Sequence, residues 1–106
     1  MAEVNHKLIL VISNKGYTHE IMEVAKENGA RGGTVLHAKG TADAESAKFL
    51  GIKIQPEKEI ILIVVPNGLT EGIMKSISEK LGAHTKVRAL TVALPVTNLT
   101  GFVFEK

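Results

Sequence analysis

The residues of this sequence that could do chemistry gather in one stretch, ENGARGGTVLHAKGT, residues 27–41. Three glycines and an arginine stand between a polar run and an apolar one, and a lysine and a fourth glycine follow. A residue without a Cβ lets the nearby backbone N–H groups come close to an anion. Gly32, Gly33 and Gly40 offer such backbone, Arg31 and Lys39 supply positive charge, and Thr34 supplies a hydroxyl. Anion binding is the chemistry that suits this combination. A tight turn is the competing reading. For Gly32 and Gly33 taken alone it is preferred, because turns select the same residue.

Other reactive constellations are weaker. The chain has no cysteine, which excludes disulfides, thiolate metal sites and a cysteine nucleophile. His6, His19, His37 and His84 show no pair at helical metal-ligand spacing, so each reads as a surface or strand residue and no metal site is expected. The sequence leaves open a meeting of His37 with His84. Glu57 and Glu59 flank Lys58, and their equal parity on a strand points to a solvated face, not to an acid–base pair. Ser13 lacks the setting of a nucleophile and reads as a strand end. No catalytic residue is expected, and the chain reads as a non-enzyme.

The elements that must hold the glycine stretch come in two copies. LILVISNKGYTHEIMEVAKENGA lies over IILIVVPNGLTEGIMKSISEKLGA. Gly16, Thr18, Ile21, Met22 and Glu27 fall at one constant offset on Gly68, Thr70, Ile73, Met74 and Glu79. Residues 8–12 and 60–65 are short apolar runs rich in β-branched side chains, which suits strands. Leu69, Ile73, Ile77 and Leu81 recur every four residues and mark one face of a helix, as Tyr17, Ile21, Val24 and Ala25 do in the first copy. Gly29 and Gly82 suit helix C-caps in the left-handed conformation. A second strand follows each helix, at residues 34–39 and 89–96. Two βαβ halves around one core predict an α+β fold: a ferredoxin-like β-α-β-β-α-β sandwich with both helices on one face of the sheet, a single domain over 1–106. A flavodoxin-like doubly wound sheet would want more strands.

One connection exceeds this minimal fold. A hairpin between the second and third strands needs about 2–5 residues, yet GTADAESAKFLGIKIQPE, residues 40–57, intervenes. Its first half is small and polar, and gains too little apolar contact to order its tip. Its second half alternates Phe49, Ile52 and Ile54 with polar or small residues, which suggests a strand-like extension. A decorative surface loop is one reading; a binding element carried on an insertion is the other. The tail at 97–106, TNLTGFVFEK, holds Phe102 and Phe104, which are expected to be buried against the domain or a neighbouring subunit.

Composition narrows the partners. A net charge of +2 does not announce a nucleic-acid protein, and the strands at 8–12 and 60–65 lack the aromatics on which an RNA-binding sheet stacks bases. No apolar run approaches the roughly 18 residues that span a bilayer, so no membrane insertion is expected. No leader is visible before the first strand, and a cytoplasmic location is the default expectation. An acylphosphatase-like enzyme would cradle phosphate in a loop after the first strand, whereas here the glycine loop follows the first helix.

The glycine stretch also resembles a known family. GARGGTVLHAKGT is similar to the RGMTVTEVKGFG-type segment of the PII signalling proteins; EKEIILIVVP looks like that family's third strand with its preceding lysine, and ALTVALPV like its last core strand. The resemblance covers nearly the whole chain, in order. It implies a homotrimer with adenine nucleotides held between neighbouring subunits, and a shortened T-loop at 40–57 that engages a regulated partner, a membrane transporter or a metabolic enzyme of nitrogen regulation. The implied nucleotide-binding residues are Gly32, Gly33, Thr34, Lys39, Gly40, Lys58, Lys86 and Arg88, with Lys39 and Lys58 at the two roots of the loop. The implied partner-binding residues are Asp43, Glu45, Ser46, Lys48 and Phe49. No tightly bound cofactor is implied; ATP, ADP or AMP would be a dissociable ligand.

The sequence departs from the family in three places. A glycine-rich TGKIGDGK-type loop before the last core strand is replaced by LGAHTKVRALT, where Val87, Ala89 and Leu90 stand in place of two glycines and a lysine. Those side chains are expected to crowd a backbone cradle, while Lys86 and Arg88 keep positive charge there. The tail lacks the family's paired arginines, and the loop lacks a tyrosine, since the one tyrosine is Tyr17. These departures point to a PII-like offshoot that does not regulate by nucleotidylation of a loop tyrosine. The alternative is a PII-like trimer that has lost nucleotide binding and serves as a structural protein or a sensor of a metal or metabolite.

Overall fold

The computed structural model describes residues 5–41, 48–49, 52–53 and 56–101. The elements run β1 (His6–Asn14), α1 (Thr18–Glu27), β2 (Thr34–Lys39), β3 (Lys48–Phe49), β4 (Ile52–Lys53), β5 (Glu57–Pro66), α2 (Asn67–Leu81) and β6 (Leu90–Pro95). Four strands form one antiparallel sheet in the order β2-β5-β1-β6. With two crossover helices this is the expected ferredoxin-like α+β sandwich. The short strands β3 and β4 pair with each other, Lys48 opposite Lys53 and Phe49 opposite Ile52, so the alternating half of the 40–57 insertion does form a ladder.

Burial follows the two periodicities. On β1 and β5 every second residue, Ile9, Val11, Ile61, Ile63 and Val65, is buried toward the helices. Ile21, Val24 and Ala25 of α1 and Ile73 and Ile77 of α2 meet them in one core. Fully burying an isoleucine is worth about 1.5–3 kcal/mol, and six isoleucines here have no exposed surface. That weight holds both helices on the same face.

The two helix ends differ from each other. Gly29 has φ +104, its N–H donates to Lys26 O and the N–H of Ala30 donates to Ala25 O, a left-handed Schellman stop as expected. Gly82, expected in the same conformation, has φ −79 and extended backbone. Its missing side chain is required because a Cβ would run into the Ser78 carbonyl oxygen. The parity reading of Glu57 and Glu59 also needs correcting. Glu57 is exposed and meets Lys15 at 3.3 Å, but Glu59 is buried at 7% exposure. The β1–α1 turn folds over it, and Gly16 N–H donates to Glu59 Oε1 at 2.8 Å. The expectations for the loop tip and for Phe102 and Phe104 fall outside the described residues.

Among the described residues the opposite sheet face carries no helix. The register sets Leu8 beside Leu94, Leu10 beside Val92, Ile12 beside Leu90, and Leu36 beside Ile60. Leu90 is 59% exposed, Leu36 45% and Leu94 42%. An apolar surface this continuous is unusual on a lone domain.

Candidate functional site

Both groups of chemistry-bearing residues lie on that open face, at separate places along β5. The first surrounds the start of β2. Arg31, Gly32, Gly33, Thr34, Leu62 and Val64 line a depression of about 320 Å³. Its floor is apolar and comes from alternate residues of β5; its rim is polar. The two glycines have different reasons to be there. A Cβ on Gly33 would stand 2.9 Å from Ile61 Cγ2 and 3.0 Å from Leu62 O, so Gly33 lets the chain cross closely over β5. A Cβ on Gly32 would meet nothing within 4 Å, so packing does not require a glycine there. Leu62 and Val64 were legible only as strand residues; their parity, opposite to that of buried Ile61 and Ile63, is the signal that assigns them to the open face.

The second group lies where β1 and β5 meet the two long loops. Lys58 Nζ donates to Asn14 Oδ1 at 2.7 Å, and Asn14 Nδ2 donates to Lys86 O at 2.8 Å. Gly40 packs over Lys58: a Cβ there would stand 3.1 Å from Lys58 Cε. The Gly40 N–H is not directed to a ligand, because it donates to Pro56 O at 2.8 Å. Gly40 therefore contributes room for the lysine, not the anion-binding amide read from the sequence. Among the described residues no carboxylate lies within ion-pair distance of Lys39, Lys58, Lys86 or Arg88.

Lys39 and Lys58 do not converge. Lys39 pairs with Glu57 and Ala38 with Lys58, and side chains of paired residues share a face. Lys39 thus points to the helix side and Lys58 to the open side. On the helix side His37 Nδ1 lies 3.4 Å from Glu59 Oε2. Among the described residues no group of three or more potential metal ligands is present.

The loop between α2 and β6 does not crowd a cradle in the way its side chains suggested. Val87 turns inward and joins the core at 6% exposure, and Ala89 packs against it. Four of the loop's amides are taken up internally. Val87 N–H and Arg88 N–H both lie on Thr85 Oγ1 at 3.2 and 3.4 Å, Thr85 N–H donates to Gly82 O at 3.0 Å, and Ala89 N–H donates to Leu81 O at 2.9 Å. Arg88 adopts φ +52, a left-handed conformation that costs a side-chain-bearing residue about 1–2 kcal/mol. The loop also presents the side chains of Lys86 and Arg88, both exposed.

The two groups are separated within one chain. Thr34 pairs with Leu62, and Lys58 lies four residues away along β5, roughly 13 Å at the rise of a strand. The structure brings Gly32, Gly33 and Thr34 together in one group, and Gly40, Lys58 and the backbone of Lys86 in another, with Lys39 outside both. Asp43, Glu45 and Ser46, and the side chains of Lys48 and Phe49, lie outside the described residues.

No protein-family model matches the sequence, and no curated protein is similar to it in sequence. Solved structures are similar in fold. CPII of Thiomonas intermedia K12, a nitrogen regulatory PII-like protein bound to ADP, AMP and bicarbonate, superposes with a TM-score of 0.67 at 12% identity, over 92% of this chain and 96% of that one. PII of Arabidopsis thaliana bound to citrate gives 0.66 at 19% identity, over 88% and 78%. A PII-like signalling protein of Thermus thermophilus gives 0.64 at 19% identity, over 89% and 90%. The chain has the fold of these PII-like proteins.

Proposed function

We propose that the chain is a divergent PII-like regulator. It assembles as a homotrimer, holds an adenine nucleotide or a related small anion in clefts between subunits, and acts on a protein partner through loop 40–57. The observation that carries this reading is the pair of residue groups on an apolar face that no element among the described residues covers. Alone, neither group is complete. The depression at Arg31, Gly32, Gly33, Thr34, Leu62 and Val64 offers an apolar floor, a hydroxyl and a guanidinium among its lining residues, which suits a base with one anionic group beside it. Lys58, with the exposed Lys86 and Arg88 of the loop whose backbone Asn14 ties to it, offers cations. A neighbouring copy laid against the open face would bring the depression of one subunit toward the cations of the next, while burying Leu36, Leu90 and Leu94.

The ligand class follows from the same groups. The neighbours CPII and Arabidopsis PII are bound to ADP, AMP, bicarbonate and citrate, all of them anions. In this chain four amides of the 82–89 loop, those of Thr85, Val87, Arg88 and Ala89, are internally bonded, so side-chain ammonium and guanidinium groups carry much of the grip on phosphate. With four of the loop's amides occupied, fewer backbone donors can reach a phosphate chain, and the site is expected to hold fewer phosphates than ATP carries. The grip also weakens with salt, because exposed charges are screened over about 8 Å at physiological ionic strength. Residues 40–57 are assigned to the partner, a transporter or a metabolic enzyme, with no chemistry performed on the chain.

Calorimetry with AMP, ADP and ATP on the purified oligomer tests the proposal. AMP or ADP should bind more tightly than ATP. Lys58→Ala should lose about 1.5–3 kcal/mol, the range for a hydrogen bond to a charged group, without unfolding the chain. Absence of heat with all three nucleotides at millimolar concentration would sink the nucleotide reading. The occupied amides of the 82–89 loop favour a second reading in that event, a trimer that senses a smaller anionic metabolite. Bicarbonate or citrate binding that Lys58→Ala removes would identify it.

A further inference from the structure

We infer that Asn14 is the positioning residue of this anion site: its side-chain amide aims the Lys58 ammonium and ties the 82–89 loop to the root of the 40–57 loop. The inference rests on the anion-binding reading above. Asn14 is the last residue of β1 and lies directly opposite Lys58 in the ladder. Its backbone N–H donates to Val87 O at 3.0 Å, so it already sits between the two loops. Its side chain then makes two bonds of opposite polarity. Oδ1 accepts from Lys58 Nζ at 2.7 Å, and Nδ2 donates to Lys86 O at 2.8 Å.

Those two partners determine the residue type. An ammonium can only donate and a carbonyl can only accept. The bridging side chain must therefore carry an acceptor and a donor on one short planar group, which is a primary amide. A carboxylate would satisfy Lys58 but set its second oxygen against the Lys86 carbonyl with no hydrogen between them. An aliphatic side chain would satisfy neither. The amide also differs from a carboxylate in charge. Asn14 orients Lys58 without neutralising it, and two of the three ammonium hydrogens remain for an anion. Gly40 completes the arrangement by leaving room for the Lys58 stem. Anion capture by Lys58 is in this way felt by three segments at once: the end of β1, the loop beginning at Gly40, and the loop holding Lys86.

The test compares Asn14→Asp, Asn14→Ala and Lys58→Ala in the full chain, with AMP and inorganic phosphate as probes and thermal melting as an independent reading of the fold. Asn14→Asp should weaken binding at least about tenfold, since its carboxylate takes the lysine's charge, and the salt dependence should become shallower. Asn14→Ala should weaken binding about fivefold, the loss of one hydrogen bond's orienting effect, with salt dependence unchanged because no charge is altered. A structural role alone would lower the melting temperature of both variants and leave their affinities equal to that of the unaltered chain. That outcome overturns the inference. If the unaltered chain binds and Lys58→Ala does not, yet Asn14→Asp binds normally, the anion site stands and the positioning role fails. If the unaltered chain binds neither probe, both fall.

Discussion

Replacing Gly33 by alanine should destabilise the fold, and replacing its neighbour Gly32 should not. The Gly33 Cβ would stand 2.9 Å from Ile61 Cγ2, 3.0 Å from Leu62 O and 3.2 Å from Ile63 Cγ1. Carbon–carbon contacts are comfortable at about 3.5–4.0 Å, so something must move by more than half an ångström. The neighbours are poorly placed to do so. Ile61 and Ile63 have no exposed surface, and β5 is hydrogen-bonded on both sides. Overpacking of this kind costs about 1–3 kcal/mol. At Gly32 the new methyl meets nothing within 4 Å and the backbone is outside the left-handed region. The restriction it places on the unfolded chain should stabilise by about 0.4–1 kcal/mol. The two variants should therefore differ by about 1.5–4 kcal/mol. At about 4–8 °C per kcal/mol for a domain near this size, that is a gap of at least about 6 °C in Tm. The assay is paired thermal and urea melts at one protein concentration, since an oligomer's midpoint shifts with concentration. Equal stability of the two variants would refute the reasoning that Gly33 serves packing and Gly32 does not. Nucleotide titration of the same proteins then asks whether the Gly32 methyl, harmless to the fold, obstructs the ligand.

Three further expectations follow from the same geometry. Val92→Glu places a charge on the open apolar face, on the edge strand β6 beside Leu10 of β1, and should turn the proposed trimer into a monomer of 11.4 kDa in sedimentation; an oligomer unchanged by the substitution would show that this face is not the interface. Thr70→Val should raise stability by about 1 kcal/mol in a urea melt, because Thr70 Oγ1 is buried without a hydrogen-bond partner and its removal relieves a desolvated hydroxyl; a loss of similar size would mean that the hydroxyl is satisfied. Glu59→Ala should loosen the β1–α1 turn by removing the acceptor of the Gly16 N–H, read as faster amide exchange at Gly16; unchanged exchange would show that the turn holds itself.

Much of the fold was legible in the sequence because it depends on local periodicity. The β-branched apolar run in EKEIILIVVP and the four-residue recurrence of Leu69, Ile73, Ile77 and Leu81 determine which element forms, and the recurrence also marks the helix face that is buried. The constant offset between the two halves then leaves few ways to arrange two βαβ units around one core. The Gly29 stop was legible for the same reason, since its hydrogen bonds reach only to Lys26 and Ala25. What concerns pairs of residues distant in the chain was not. Whether Lys39 and Lys58 face each other depends on the β2–β5 register, and that register sets them on opposite faces. Whether Glu59 is solvated depends on the β1–α1 turn folding over it, which strand parity does not reveal. The role of Asn14 needs Lys58 and Lys86 beside it, from two other segments of the chain. Val87 shows the difference within one residue. Its type departs from a glycine-rich loop and is visible in the sequence. That its side chain plugs the core while Thr85 Oγ1 takes up the Val87 and Arg88 amides is decided by the tertiary structure, because buried apolar area and unpaired N–H groups are satisfied by whatever the folded chain brings within reach.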